Sequence, residues 1–212
     1  MSKKVIVFTG LSISPEEAST ILEADYRAPV KRNDVLNAIA DKPDIIGIID
    51  GVFHQSPAVS HKEIMKAMDE GITVVGGSSM GALRASELDV LGMKGIGFVY
   101  NQYASGAITS DDDVAVTFDP DSKVSLSEAL VNIDYKLNLA IEEDIITREE
   151  KDEIIKVAKE IYYPKRTYPY IFAKSELDSD KKAKLMEFIN KTDDIKYLDA
   201  IEVLEYIKSL QS

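Results

Sequence analysis

The chain has 212 residues, no cysteine, 37 acidic against 25 basic side chains, and a formal net charge of −12. A chain of this length can bury about 70% of its unfolded surface without disulfides or metals. The lack of cysteine excludes a disulfide framework, a thiolate nucleophile and sulfur carriage as a persulfide. With His54 and His61 as the only histidines, we expect no metal site.

The acidic charge is spread along the whole chain, and this disfavours two classes of partner. Nucleic acids and anionic membranes both attract clustered Lys and Arg, so we expect neither as a partner. The N-terminal apolar run 5–8 is too short for the core of a signal peptide, and no stretch reaches the 18 apolar residues of a membrane span. We therefore expect a cytoplasmic protein.

The first half of the sequence alternates strand-like and helix-like segments. Ser14-Pro15 and Ser56-Pro57 have the N-cap and first-turn residues of helices, and Pro43 and Gly71 are typical helix ends. The predicted elements in chain order are a strand at 5–8, a helix at about 15–24, an extended piece at about 26–28, a helix from 33 to 43, a strand at 45–49, a helix from 56 to 71, a strand at 72–75 and a helix at about 80–91.

The strands are apolar on both faces and are separated by helices, which indicates a parallel sheet covered on both sides. The predicted fold class is α/β, a Rossmann-like doubly wound parallel sheet followed by a C-terminal helical region. We place the boundary between an α/β core domain, 1–118, and a helical region, 119–212.

The region after residue 118 has helical periodicity. Predicted helices cover about 126–141, 147–161, 179–190 and 194–209. Pro164 and Pro169 argue against regular structure between the second and third of these helices. The tyrosines of that segment suit either an interface or a loop that packs on the protein's own core.

In a doubly wound sheet the ligand site lies beyond the carboxyl ends of the strands. The loops 9–12, 50–55 and 76–81, which we call the rim, should therefore lie together. The sequence from Gly77 to Gly81 matches G-x-S-x-G at a strand-to-helix turn, which favours Ser79 as a nucleophile with backbone N–H groups stabilising an oxyanion. His54 is the candidate base, and Asp50 could be a base, a residue that orients the base, or a cap.

Two other interpretations of the glycine turn stay open. The same turn could bind an anion without catalysis, through residues such as Gly10, Gly77, Ser78 and Gly81, or the glycines could only permit close packing. An α/β-hydrolase is disfavoured, because its histidine follows the serine in the chain and both histidines here precede Ser79.

The helix after the turn carries Arg84 and Glu87, which could form a surface ion pair. Alternatively, Arg84 faces an anionic ligand. His61 is in line with the apolar face of its helix, so we interpret it as a residue that lies between that helix and the sheet.

Several strings of residues resemble the TfuA-like family, over about residues 3–118. They are DGVFHQ at 50–55, HKEI at 61–64, GSSMGALRASEL at 77–88, and Gly92-Met93 with Gly95 and Gly97. The positions that the resemblance marks are Asp50, His54, His61, Lys62, Ser79, Arg84 and Glu87.

The resemblance implies an accessory role beside a YcaO-type protein, which activates a backbone amide with ATP during thioamide formation. It implies that ATP and Mg²⁺ bind to the partner, that this chain binds no cofactor tightly, and that the peptide or protein substrate is reached through the partner. Since this chain has no cysteine, recruitment or release of sulfide from a separate carrier, such as a thiocarboxylated protein, fits best. A non-catalytic module that binds an anion or a peptide and docks on the partner is the alternative.

Overall fold

The computed structural model describes residues 3–53, 56–119 and 124–211. Its residue contacts divide the chain into two compact units. The first, which we call the sheet unit, comprises Met1–Thr109 with Lys196–Ser212, and the second, the helical unit, comprises Ser110–Ile195. No helix of the described residues combines the length and the apolarity that a bilayer span requires.

The sheet unit contains five parallel strands in the order β2-β1-β3-β4-β5. This confirms the predicted α/β, Rossmann-like fold. Strand order reverses between β1 and β3, where sheets of this type bind their ligands. The strands are β1 (Val5–Phe8), β2 (Asp25–Arg27), β3 (Ile45–Ile48), β4 (Thr73–Gly77) and β5 (Lys94–Ile96).

The register of the central strands aligns their carboxyl ends. Phe8 of β1 pairs with Ile48 of β3, and Ile48 pairs with Gly76 of β4. The loops that follow these three strands therefore start side by side. This is the arrangement that the sequence predicted for the rim.

Six helices belong to the sheet unit in the described part of the chain. They are α1 (Pro15–Ile21), α2 (Asp34–Ala40), α3 (His61–Asp69), α4 (Met80–Leu88), α5 (Phe98–Ala104) and α10 (Ile195–Ser209), of which α10 joins the unit from Lys196.

Helix α3 begins four residues later than predicted. Ser60, and not Ser56, is its N-cap, because the Ser60 N–H and hydroxyl both donate to Glu63 Oε1 in the first turn of the helix. The short strand β5 was not predicted, since its three residues carry no continuous apolar run.

The helical unit contains α6 (Leu130–Glu142), α7 (Arg148–Glu160), α8 (Tyr168–Lys174) and α9 (Ser179–Lys191). The segment predicted to be irregular holds a 3₁₀ turn, Tyr163–Lys165, and the start of α8. Pro164 and Pro169 occupy the first turns of these elements, where a backbone N–H would have no partner within the helix, so proline removes no hydrogen bond there. The prolines therefore begin these helices instead of preventing them.

Helix α10 packs on the sheet, whereas the sequence-based division placed it with the preceding helices. Val203, Leu204 and Ile207 are fully buried in the sheet unit's core. A Cβ on Gly47 of β3 would lie 2.8 Å from Ile207 Cδ1, so the helix lies directly against the strand. By its residue contacts, the chain from Lys196 onward therefore belongs to the sheet unit.

Asp199 of α10 is a buried carboxylate that caps α5. Its two oxygens accept hydrogen bonds from the Phe98 and Val99 N–H groups, each at 2.8 Å. Burial raises the pKa of Asp199 to about 6, although the two amide donors favour the charged form.

We predict that Asp199 gives the protein a characteristic pH dependence of stability. A carboxyl whose pKa is raised in the folded state stabilises the fold below its unfolded pKa, near 3.8, and that contribution is lost as pH rises through about 6. The free energy of unfolding of the wild type, relative to Asp199→Asn, should fall by up to about 3 kcal/mol between roughly pH 4 and pH 7. Urea denaturation at several pH values measures this difference, and parallel pH profiles would contradict it.

Arg166 is the central polar contact of the helical unit. It is fully buried, and its guanidinium donates to the Ala158 and Ile161 carbonyls at the end of α7 and to Asp112 Oδ2 at 2.6 Å. The arginine therefore closes the carboxyl end of α7 and ties it to the segment around Asp112.

We predict that Arg166→Met destabilises the protein by about 3–5 kcal/mol, because it leaves buried carbonyls without donors. Arg148→Met is the control, since Arg148 is exposed at the start of α7 and should cost well under about 1 kcal/mol. Urea denaturation compares the two variants, and equal losses would contradict the role of Arg166.

Candidate functional site

The turn between β4 and α4 is strained. Ser78 has φ +67°, and the Ser79 N–H donates to the Gly77 carbonyl at 2.9 Å, which closes a γ-turn with positive φ at its centre. Ser79 itself, the N-cap of α4, has φ −119° and ψ −116°. A non-glycine residue in such a turn costs about 1–3 kcal/mol, and this strain is typical of functional sites.

Glycines let α4 lie directly on the sheet backbone. A Cβ on Gly81 would lie 1.7 Å from the Ile48 carbonyl oxygen, and one on Gly76 would lie 2.3 Å from the Gly81 oxygen. The Gly81 N–H donates to the Ile49 carbonyl at 3.2 Å. These glycines therefore serve the close packing that the sequence left open as one interpretation.

Most amides of the turn are used inside the protein. Ser79 N–H bonds Gly77, Gly81 N–H bonds Ile49, and the Ala82 and Leu83 N–H groups bond the Ser79 carbonyl. Four of the five amides from Ser79 to Leu83 therefore donate within the protein. The turn does not present the row of free N–H groups that an oxyanion hole would need.

The two serine hydroxyls of the turn differ. Ser78 Oγ donates to the Lys196 carbonyl of α10 at 2.7 Å and is fully buried. Ser79 is 4% exposed, and within the described residues no hydrogen bond reaches its hydroxyl. The hydroxyl that the sequence selected as nucleophile is thus the one without a partner in the described part of the chain.

The Asp50 carboxylate organises the loop after β1. Asp50 is 1% exposed, and Oδ2 accepts three backbone N–H groups at 2.8 to 3.1 Å while Oδ1 accepts a hydroxyl at 2.6 Å. The donors are the N–H groups of Gly10, Leu11 and Ser12 and the Ser12 hydroxyl, with a longer bond from the Thr9 hydroxyl. Of the three predicted roles, these contacts match the cap, although the capped loop is the one after β1 and not the one after Asp50.

The contacts of Asp50 define the role of the Gly10 amide. Consecutive backbone N–H groups that point to one place form a nest for an anion. Here the anion is the protein's own Asp50 carboxylate, which the Gly10 N–H reaches at 3.1 Å. The Gly10 amide is therefore already engaged by an internal anion.

His61, Arg84 and Glu87 form a cluster between α3 and α4. Glu87 Oε2 lies 2.8 Å from His61 Nε2 and accepts from an Arg84 terminal nitrogen at 2.6 Å. Arg84 Nε also donates to the Val59 carbonyl. His61 is exposed, so the interpretation that it lies between its helix and the sheet is wrong. It is the first residue of α3, and its side chain is 47% exposed.

Lys62, beside His61, is exposed to solvent. His54 lies outside the described residues, so its role as a base stays a prediction. In the ranges that the structure describes, no three His, Asp or Glu side chains could together hold a metal ion.

The sequence did not predict that the Lys196 carbonyl accepts the Ser78 hydroxyl. Every residue type has a main-chain carbonyl, so such an acceptor leaves no signal in the sequence.

We predict that Asp50→Asn is mild and Asp50→Ala severe. Asn keeps an oxygen facing the amides, and the Ser12 hydroxyl can reverse to accept from the new NH₂, so the loss should be about 1 kcal/mol. Ala leaves the nest empty and should cost about 3 kcal/mol or more. Urea denaturation tests the order, with Asp44→Ala as a control at an exposed carboxylate that accepts one amide. Equal losses for the two Asp50 variants would contradict the loop-organising role.

The sequence model of the TfuA-like protein family matches residues 50–167, which is more than half of the chain. The match contains the β4–α4 turn, the His61–Arg84–Glu87 cluster and Arg166. It begins later than the resemblance in the sequence suggested and extends beyond residue 118 into the helical unit. None of the curated proteins matches this chain.

Proposed function

This chain belongs to the TfuA-like family, and from that we propose that it is an accessory protein for ATP-dependent thioamidation of peptide backbones beside a YcaO-type protein. In this proposal the partner binds ATP and Mg²⁺ and holds the peptide or protein substrate. This chain supplies sulfide or stimulates the partner.

The sulfur source in this proposal is a separate carrier. The sequence has no cysteine, so sulfur cannot pass through a persulfide on this chain. A carrier protein ending in a thiocarboxylate provides sulfur that hydrolysis can release as sulfide. The reaction then belongs to acyl transfer, the class in which a serine nucleophile works.

The observation that carries the proposal is the Ser79 hydroxyl, which lies within the family match and has no hydrogen-bond partner among the described residues. In the catalytic version, Ser79 Oγ attacks the thiocarboxylate carbon and its proton passes to a base, for which His54 is the candidate. The C–S bond breaks and hydrogen sulfide leaves. Water then hydrolyses the resulting serine ester, which gives a carboxylate and restores the hydroxyl.

One observation favours the alternative, a docking module without catalysis. The amides around Ser79 bond within the protein, so the oxyanion would have few donors from this turn. In this version the sheet unit stimulates the YcaO-type protein through its surface, and the turn has only a structural role.

We predict that Ser79→Ala lowers sulfide release from a thiocarboxylated carrier by at least about 100-fold, because the nucleophile is removed. His54→Ala should have a similar effect, and the double variant should lose little more, since members of one catalytic unit are non-additive. Ser86→Ala is the control, as it removes a hydroxyl from the same helix that only bonds the Leu83 carbonyl.

Sulfide release is measured with the purified chain, and thioamidation is measured beside it with the YcaO-type protein present. Full activity of Ser79→Ala in both assays, with the fold intact by circular dichroism, would eliminate the catalytic version. Stimulation of thioamidation without any sulfide release by the wild type would support the docking module instead.

A further inference from the structure

Arg32 holds the end of the loop before α3. Its N–H donates to the Pro57 carbonyl at 2.9 Å and its Nε donates to the Ala58 carbonyl at 3.2 Å. The side chain is 54% exposed, and its two terminal nitrogens have no partner among the described residues. The loop thus binds the Nε edge of the guanidinium, and no described residue engages the edge formed by the two terminal nitrogens.

Glu63 lies beside Arg32 with a buried oxygen that has no donor. The residue is 3% exposed, and its Oε1 accepts from the Ser60 N–H and hydroxyl and lies 3.7 Å from Arg32 Nε. Oε2 is buried and has no hydrogen-bond partner in the part of the chain that the structure describes. A carboxylate oxygen in that state is costly, and it indicates a missing donor.

We propose that Arg32 and Glu63 form a binding site for an α-carboxylate whose neighbouring carbon carries an N–H group. The terminal nitrogens of Arg32 bind the carboxylate in the two-pronged geometry that guanidinium favours. Glu63 Oε2 accepts the N–H. Both the C-terminus of a peptide and a free amino acid have this chemistry. The site does not use Ser79, so the inference stands apart from the proposed function.

The charges at the site exclude other ligand classes. A phosphate would face the Glu63 carboxylate at close range, and a metal ion would face the Arg32 guanidinium. A ligand with a carboxylate at one end and an N–H donor beside it matches both groups.

Arg32 lies at the surface beside the buried Glu63 carboxylate. The guanidinium within 3.7 Å of its carboxylate belongs to a residue that is about half exposed. In the proposed complex, the terminal nitrogens of Arg32 bind the ligand carboxylate while Nε stays on the Ala58 carbonyl, and Glu63 Oε2 accepts the ligand's N–H. Because Oε2 is buried, binding requires a local rearrangement that exposes it to the ligand.

The test uses the full chain and three probes, namely triglycine, triglycine amide and glycine. Titration is followed by NMR at the backbone amides of residues 60–63. Triglycine should bind saturably, and its amide should bind about 10- to 100-fold more weakly, because the charge-assisted bonds to Arg32 are lost. Glycine binding as tightly as triglycine identifies a free amino acid as the source, and tighter triglycine binding identifies a chain end.

Glu63→Gln separates binding from structure. A Gln oxygen can still accept from Ser60, so the capping box and the stability should be retained. Its NH₂ replaces the vacant acceptor with a donor, so triglycine should bind about 10- to 100-fold more weakly. Arg32→Gln should have a similar effect. Lys66→Gln, which removes one exposed charge one turn further along α3, should bind triglycine normally.

The inference is overturned if neither triglycine nor glycine binds saturably at millimolar concentrations. It is also overturned if triglycine amide binds as tightly as triglycine, or if folded Glu63→Gln binds triglycine like the wild type.

Discussion

The close approach of α4 to the sheet is the constraint on which the candidate site depends. Only hydrogen fits between the Gly81 Cα and the Ile48 carbonyl, because a Cβ would lie 1.7 Å from that oxygen. With the first turn of the helix pressed on β3 and β4, the chain must leave β4 through a very tight connection. The γ-turn at Ser78 is that connection. The strain at Ser78 and Ser79 is therefore a consequence of packing, and it needs no separate functional cause.

The Asp50 carboxylate imposes a second limit on chemistry at the rim. In dinucleotide-binding sheets the loop after the first strand offers its amides to a phosphate at the point where strand order reverses. Here the equivalent amides, from Gly10 to Ser12, surround an internal carboxylate. The rim therefore loses its usual anion site, and any chemistry falls to the segments after β3 and β4. These are the segments that the family match begins with.

The sequence predicted the parallel sheet and most helices because buried runs and helix caps are local signals. Ser14 caps its helix as expected. The strand β5 and the packing of α10 were not predicted, since each depends on a partner distant in sequence. The start of α3 was misplaced for another reason, because Ser56-Pro57 and Ser60 with Glu63 are two competing local signals for a helix start. The same distinction applies to the candidate residues. Their positions directly after strands predict that Asp50 and Ser79 lie at the rim. The sequence does not indicate that backbone amides surround the Asp50 carboxylate and do not surround the Ser79 hydroxyl.

Helix α10 shows how a site can depend on a segment that residue types do not reveal. The family match ends at residue 167, yet the Lys196 carbonyl accepts the Ser78 hydroxyl and Val203 packs against Gly77. A carbonyl acceptor places no demand on the side chain at position 196, and an apolar contact accepts several residue types. What these contacts require is the path of the backbone. The turn that carries Ser79 is therefore held in part by the backbone path of α10, a contact that the residue type at position 196 does not reveal.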